Sequence, residues 1–173
     1  MDLTQFDSRK RAEEGIFMAL SDPHSGDPIG TGDDAPGFII RGVASRTVQA
    51  RLAEMQKKAK EDAGDDAEAA MERLHGTLID AAMRYIIRPQ NIEIDGKPVG
   101  DDEKSIRRVL DMTFPDMAIT KDADGNTVMT RGKDKDGNEI DVPKFELKNR
   151  PFAQQVIEAA EDSQRFFGKT SSG

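Results

Sequence analysis

The sequence predicts an α+β protein, mainly helical, with an antiparallel helix pair, a short amino-terminal β pair and a small β-meander insertion. Three observations predict it. After Ser45, apolar residues recur at helical spacing in two consecutive stretches. Two short apolar runs bounded by turn residues precede them. Between Lys121 and Ile140 one phrase, K-D-x-D-G-N-x-[V/I], occurs twice, twelve residues apart. At 173 residues the chain is long enough for one domain. Its expected parts are a β region over 1–44, a helical core over 45–117, the meander over 118–148 and a closing helix over 149–167. Residues 168–173, G-K-T-S-S-G from Gly168 to Gly173, read as a loose tail.

Asp7 to Glu14 reads as a short helix, capped by Asp7 or Ser8 and stopped by Gly15. The apolar run Gly15 to Leu20 and the run Gly37 to Gly42 then predict an antiparallel pair with a long connection from Asp22 to Pro36. Val48, Leu52, Met55 and Ala59 form one stripe of a helix ending near Asp62. A second stripe runs through Ala67, Met71, Leu74, Leu78, Ala82, Tyr85 and Ile86, and Pro89 closes it. Two amphipathic helices joined by a polar turn are expected to pack as an antiparallel hairpin.

Asp95-Gly96 predicts a small hairpin. Asp101 onward predicts a helix whose acidic start suits the dipole and whose Ile106, Val109 and Leu110 share a face. The duplicated phrase invites comparison with calcium loops. An EF-hand loop needs Gly at its sixth position and Glu at its twelfth. Counted from Asp122 or Asp134, Gly125 and Gly137 fall fourth, and the twelfth positions are Lys133 and Phe145. The phrase therefore predicts β-turns at Asp124-Gly125 and Asp136-Gly137, joining strands Met117 to Thr120, Asn126 to Arg131 and Glu139 to Val142. Pro151 opens the last helix, whose stripe Phe152, Val156, Ala159 and Ala160 continues toward Phe166 and Phe167.

Composition narrows function. Hydrophobic residues make up 36% of the chain and charged residues 34%, so much of the sequence is solvated surface; such a chain often completes its apolar burial against a partner. The formal net charge is −8, and the most basic stretch, Arg46 to Lys60, alternates with Glu54 and Glu61; this predicts no nucleic-acid surface. Absence of cysteine excludes disulfides and thiolate chemistry. With neither a membrane-length apolar run nor a signal-peptide core, the expected location is a cytosol, or a particle assembled in one.

Chemistry finds little support. The glycines of "GTGDDAPG" precede an apolar run instead of following a strand and opening a helix, so a flexible loop fits better than a phosphate cradle. His24 and His75 have no metal-pair spacing, and His75 reads as a half-buried helix histidine. The pairs Asp33-Asp34, Asp65-Asp66 and Asp101-Asp102 sit in polar loops or helix starts, where carboxylates stay hydrated. No catalytic residue, cofactor or metal ligand is expected. Met55, Met71, Met83 and Met112 lie on or near helix faces, where adaptable methionine side chains serve either core packing or a partner groove.

Several stretches carry a likeness. "MDLTQFDSRKRAEEGIFMALSDPHSGDPI", "GFIIRGVASRTVQARLAEMQKKAKE", "NIEIDGKPVGDDEKSIRRVLDMTFPDM" and "RPFAQQVIEAAEDSQRFF" in this order resemble tail assembly chaperones and related small tail-region proteins of long-tailed bacteriophages. The likeness covers about two thirds of the chain and rests on element order and short phrases; the meander from about Ala118 to Lys148 departs from it. The resemblance implies a non-enzymatic protein of the host cytoplasm that binds the tape-measure protein, or tail-tube subunits, before the tail polymerises. Leu52, Met55, Met71 and Leu74 are then the candidate partner-binding residues. The alternative is a structural virion protein, decorating the head or completing the tail or connector, with a homo-oligomer among its expected forms.

Overall fold

The computed structural model describes residues 7–58, 67–134 and 136–167. Helix α1 (Ser8–Glu14) begins where the Asp7 carboxylate accepts from the amides of Arg9 and Lys10, both at 3.1 Å. It ends at Gly15, whose φ of 82° favours glycine. A Cβ there would also lie 2.7 Å from Ile87 Cδ1 and 2.9 Å from the Ile40 carbonyl oxygen. Strands β1 (Ile16–Ala19) and β2 (Gly37–Ile40) pair antiparallel from Ile16 opposite Ile40 to Ala19 opposite Gly37, as the two apolar runs predict. Gln155 ties down the long connection between them. Its amide accepts from Ser21 N at 2.9 Å and donates to the carbonyls of Ser21 and Arg150, so this buried polar side chain is satisfied.

Helices α2 (Arg46–Lys58) and α3 (Ala67–Met83) follow, and Ala59 lies outside the described residues. The second stripe does not run on to Pro89. Backbone bonds from Arg84 N to Ala81 O and from Tyr85 N to Ala82 O close the last turn of α3, and β3 (Ile86–Gln90) takes over. This strand pairs antiparallel with β2, completing a sheet in the order β1-β2-β3. Two isoleucines favour extension, and Pro89, opposite Phe38, is tolerated because β3 is an edge strand.

Strands β4 (Glu93–Ile94) and β5 (Lys97–Pro98) form the expected small hairpin. Asp95 and Gly96 have φ of 54° and 71°, the two positive values of a primed turn. Helix α4 (Glu103–Asp111) is capped by Asp102, which accepts from Ser105 N at 2.9 Å. After four further strands, α5 (Phe152–Glu161) and a separate α6 (Ser163–Phe167) stand where one closing helix is expected. The break at Asp162 swings Phe166 into the core, where a Cβ on Gly42 would come within 3.1 Å of its ring.

The core gathers Met18, Phe38 and Ile40 from the sheet, Tyr85 from the turn between α3 and β3, and Val48, Ile79, Ala82, Ile106, Val109, Leu110, Val156 and Ala160 from the helices. Among the described residues α3 packs chiefly on α5 and α4, so the expected α2–α3 hairpin is not the main helical contact. The fold class needs correcting too. Described residues form six α-helices and nine strands in small antiparallel sheets, a mixed architecture and not a mainly helical one. Short strands whose apolar residues also fit a helical period caused the error, β3 above all.

Candidate functional site

Strands β6 (Met117–Ile119), β7 (Met129–Lys133), β8 (Glu139–Pro143) and β9 (Phe145–Leu147) replace the expected three-strand meander. β6 pairs with β9 and β7 with β8, both antiparallel. One nearly continuous strand, β8 running into β9, thus faces a partner interrupted by a side loop over 121–127. Three backbone bonds close the junction in a ring: Thr120 N to Lys144 O, Lys144 N to Val128 O and Val128 N to Thr120 O, all 2.8–2.9 Å. We call residues 117–148 the arm.

The duplicated phrase folds the same way twice. Asp122 Oδ1 accepts from Asp124 N and Asn126 N, and Asp134 Oδ1 accepts from Asp136 N and Asn138 N, within 2.8–3.0 Å. Among the described residues of the two loops, positive φ is found at Gly125 and Gly137, so each β-turn sits at its expected Asp-Gly step and closes with a left-handed glycine. Hydrogen bonds from Asn126 amide groups and from the Asn138 side chain and amide hold the two carboxyls below the usual carboxylate range. These carboxylates serve their own turns.

The arm's root is clamped. Asn149 is buried, its Oδ1 accepting from Asp116 N at 2.9 Å and its Nδ2 donating to Phe114 O at 2.8 Å. Lys148 N donates to Asp116 O at 2.7 Å, and Phe152 N to Thr113 Oγ1 at 2.8 Å. Beyond this root, nothing from 117–148 joins the hydrophobic core.

Alternation along the strands fixes the arm's faces. Met117, Ile119, Met129, Pro143, Phe145 and Leu147 share one face, as the pairs Met117–Leu147, Ile119–Phe145 and Met129–Pro143 require. Ile119, Met129 and Phe145 are 43%, 49% and 54% exposed. Met112 and Phe114 are exposed just before the root, and Ile140 is exposed on the opposite face of the arm. Among the described residues, six of the seven large hydrophobics left exposed therefore lie between Met112 and Phe145. Four of them, Ile119, Met129, Ile140 and Phe145, belong to the arm, which makes it the candidate interaction surface.

The residues singled out from helical spacing are placed differently. Leu52 is half-buried and packs against the core; Met71 and Leu74 are half-buried on α3. The Met55 side chain lies outside the described residues. Sequence spacing does not single out the arm's residues, because the duplicated phrase there specifies turns and not which strands pair. The arm's signal was present in the alternation of Pro143, Phe145 and Leu147 with Lys144 and Glu146.

Two other clusters carry polar side chains. His75 is buried, not half-buried; its Nε2 lies 2.8 Å from Asp111 Oδ1 and its ring 4.6 Å from that of Phe114. The carboxylate partner assigns the hydrogen to Nε2, and the pair braces α3 against the segment leading to the arm. Glu13 accepts from the hydroxyls of Ser45 and Thr47 and pairs with Arg41 Nε at 3.0 Å, joining α1 to the start of α2. Ser45 is fully buried and caps α2 through Val48 N, so this is a structural clamp. Among the described residues, no group of three or more His, Asp or Glu assembles to hold a metal ion.

The Ser45 and Thr47 hydroxyls hold Glu13 down at about 2, from an ordinary 4.5. A depressed carboxyl contributes stability that is complete above pH 4.5 and is lost as the pH falls toward 2. Glu13→Gln is expected to lower unfolding free energy at pH 7 by about 1–2 kcal/mol, a figure kept small because the carboxylate is partly exposed. Urea titrations at pH 7 and pH 2.5 should show the gap between variant and wild type closing at the lower pH. A gap independent of pH would sink the assignment.

Compared with protein-family models, with curated proteins and with solved structures, the chain matches none.

Proposed function

We propose that this chain is a non-enzymatic protein of bacteriophage morphogenesis, a tail assembly chaperone that holds an amphipathic segment of the tape-measure protein until the tail polymerises. One observation carries the reading: among the described residues, four of the seven exposed large hydrophobics lie on an arm that takes no part in the core, and three of them, Ile119, Met129 and Phe145, share one face. The ordered likeness of four stretches to tail assembly chaperones supports this choice of family. From Pro143 to Leu147 the apolar face is about 13 Å long, matching two to three turns of a helix laid across it. Charged residues around the arm keep that face soluble while it is empty.

The test is co-purification with a tape-measure fragment. Ile119→Asp with Phe145→Asp is expected to weaken binding about a hundredfold or more, since burial of each side chain is worth roughly 1.5–3 kcal/mol. Met71→Asp with Leu74→Asp is the comparison, because the helical stripe is the competing surface. Loss of binding in the second pair alone would move the site to the helices. No binding by wild-type protein would remove the chaperone reading.

The open strand edges of the arm favour a second reading, a structural protein retained in the virion. Quantitative mass spectrometry of purified particles separates the two. A chaperone is abundant in lysate and missing from particles, whereas a virion component has a fixed copy number.

A further inference from the structure

The arm carries opposite charges on its two outer edges. Bonds from Asp134 N to Asn138 O and from Lys144 N to Val128 O bracket the β7–β8 ladder, so even-numbered residues turn their backbone groups inward. The odd-numbered residues turn their backbone groups outward, Arg131 and Lys133 on β7 and Glu139 and Asp141 on β8, with their side chains on the face shared with Met129 and Pro143. Both edges are unpaired among the described residues, since β7 and β8 form a two-stranded sheet. Pro143, which has no N–H, falls at an outward position where no ladder bond of this arm is lost.

We propose that the arm is a self-association element in which the β7 edge of one copy receives the β8 edge of a second copy of this chain. Such a joint repeats the register already found within the arm, Arg131 opposite Asp141 and Lys133 opposite Glu139. Each pairing sets a cation against a carboxylate. The same charges forbid the alternatives, because β7 against β7 sets cation on cation and β8 against β8 sets acid on acid. The ion pair inside the arm, Arg131 with Glu139 at 2.9 Å, has side chains 79% and 66% exposed, so a second copy can reach both groups and exchange partners with them.

Net charge points to the arm as the place where copies meet. The chain carries −8, yet residues 117–148 hold six basic residues against seven acidic ones. Two copies approaching arm to arm avoid the repulsion felt between their acidic bodies. A joint between two different edges is heterologous, and it builds rings or open chains according to its rotation. Repetition would set the apolar faces side by side. The inference goes beyond the chaperone reading and does not rest on it.

Sedimentation velocity of the full chain, without any partner, tests it. The wild type is expected to associate with rising concentration at low salt and to dissociate as salt screens the edges. Arg131→Glu with Lys133→Glu, and separately Glu139→Lys with Asp141→Lys, should each be monomeric. Mixing the two should restore association, because every joint again unites opposite charges. The fourfold exchange, which keeps pairing inside the arm and so guards against simple unfolding, should associate by itself. A wild type that stays monomeric at high concentration and low salt overturns the proposal. So does association indifferent to either reversal, or one that neither mixing nor the fourfold exchange restores. Because no tape-measure fragment is present, failure here leaves co-purification with that fragment unaffected.

Discussion

Excision of residues 117–148, with Asp116 joined to Asn149 through a short Gly-Ser linker, is expected to yield a folded protein that no longer binds a tape-measure fragment. The argument starts from the root. Asp116 O accepts from Lys148 N at 2.7 Å, so the two cut ends already lie side by side and a few linker residues span them. Asn149 keeps its bonds to Asp116 N and Phe114 O, and Phe152 N keeps Thr113. No residue of the core cluster is removed.

What is lost is a ribbon of two strands, an arrangement that contributes little stability by itself. The thermal midpoint should therefore move by less than about 5 °C, which for a chain of this size corresponds to roughly 1–2 kcal/mol. Binding should fall at least as far as in the double aspartate variant, because the whole apolar face goes. Calorimetry and co-purification read the two effects separately. An unfolded product would mean that the arm completes the core; undiminished binding would return the site to the helical residues Leu52, Met55, Met71 and Leu74.

Legibility in the sequence followed how local each signal is. The Asp7 cap, the Gly15 stop, the β1–β2 pair, the Asp95-Gly96 turn and the apolar face of α4 each depend on a few neighbouring residues, and each is found where the sequence places it. Strand β3 was hidden. Tyr85 and Ile86 extend the helical spacing of α3, and what draws Ile86 out of the helix is the unpaired edge of β2, more than forty residues earlier in the chain. The arm failed differently. Its turns are local, but Met117 to Ile119 pair with Phe145 to Leu147 across two intervening turns, a pairing no short phrase announces. Without that pairing, Ile119 and Phe145 cannot be seen to share a face.

The largest loss of stability is expected from Phe38→Ala. Phe38 is fully buried in the central strand β2, between Met18 on one neighbour and Pro89 on the other, and it faces the helical side of the core. Truncation removes the transfer energy of a whole ring and leaves a cavity that three paired strands cannot close, since their backbones are fixed by ladder bonds. Such substitutions cost about 3–5 kcal/mol. Against a total of roughly 5–15 kcal/mol for an ordinary domain, that is about a fifth or more of the stability. The midpoint should drop by about 6–20 °C. Phe17→Ala is the internal control. Phe17 lies on the same sheet but on its outer face, 38% exposed, with its ring over Gly37, so its loss should cost about 1 kcal/mol or less. Equal effects at the two positions would mean that the sheet does not bury one face against the helices. A large gap ties the fold's stability to the inner face of the sheet, leaving the arm free to carry exposed apolar residues at little cost to the core.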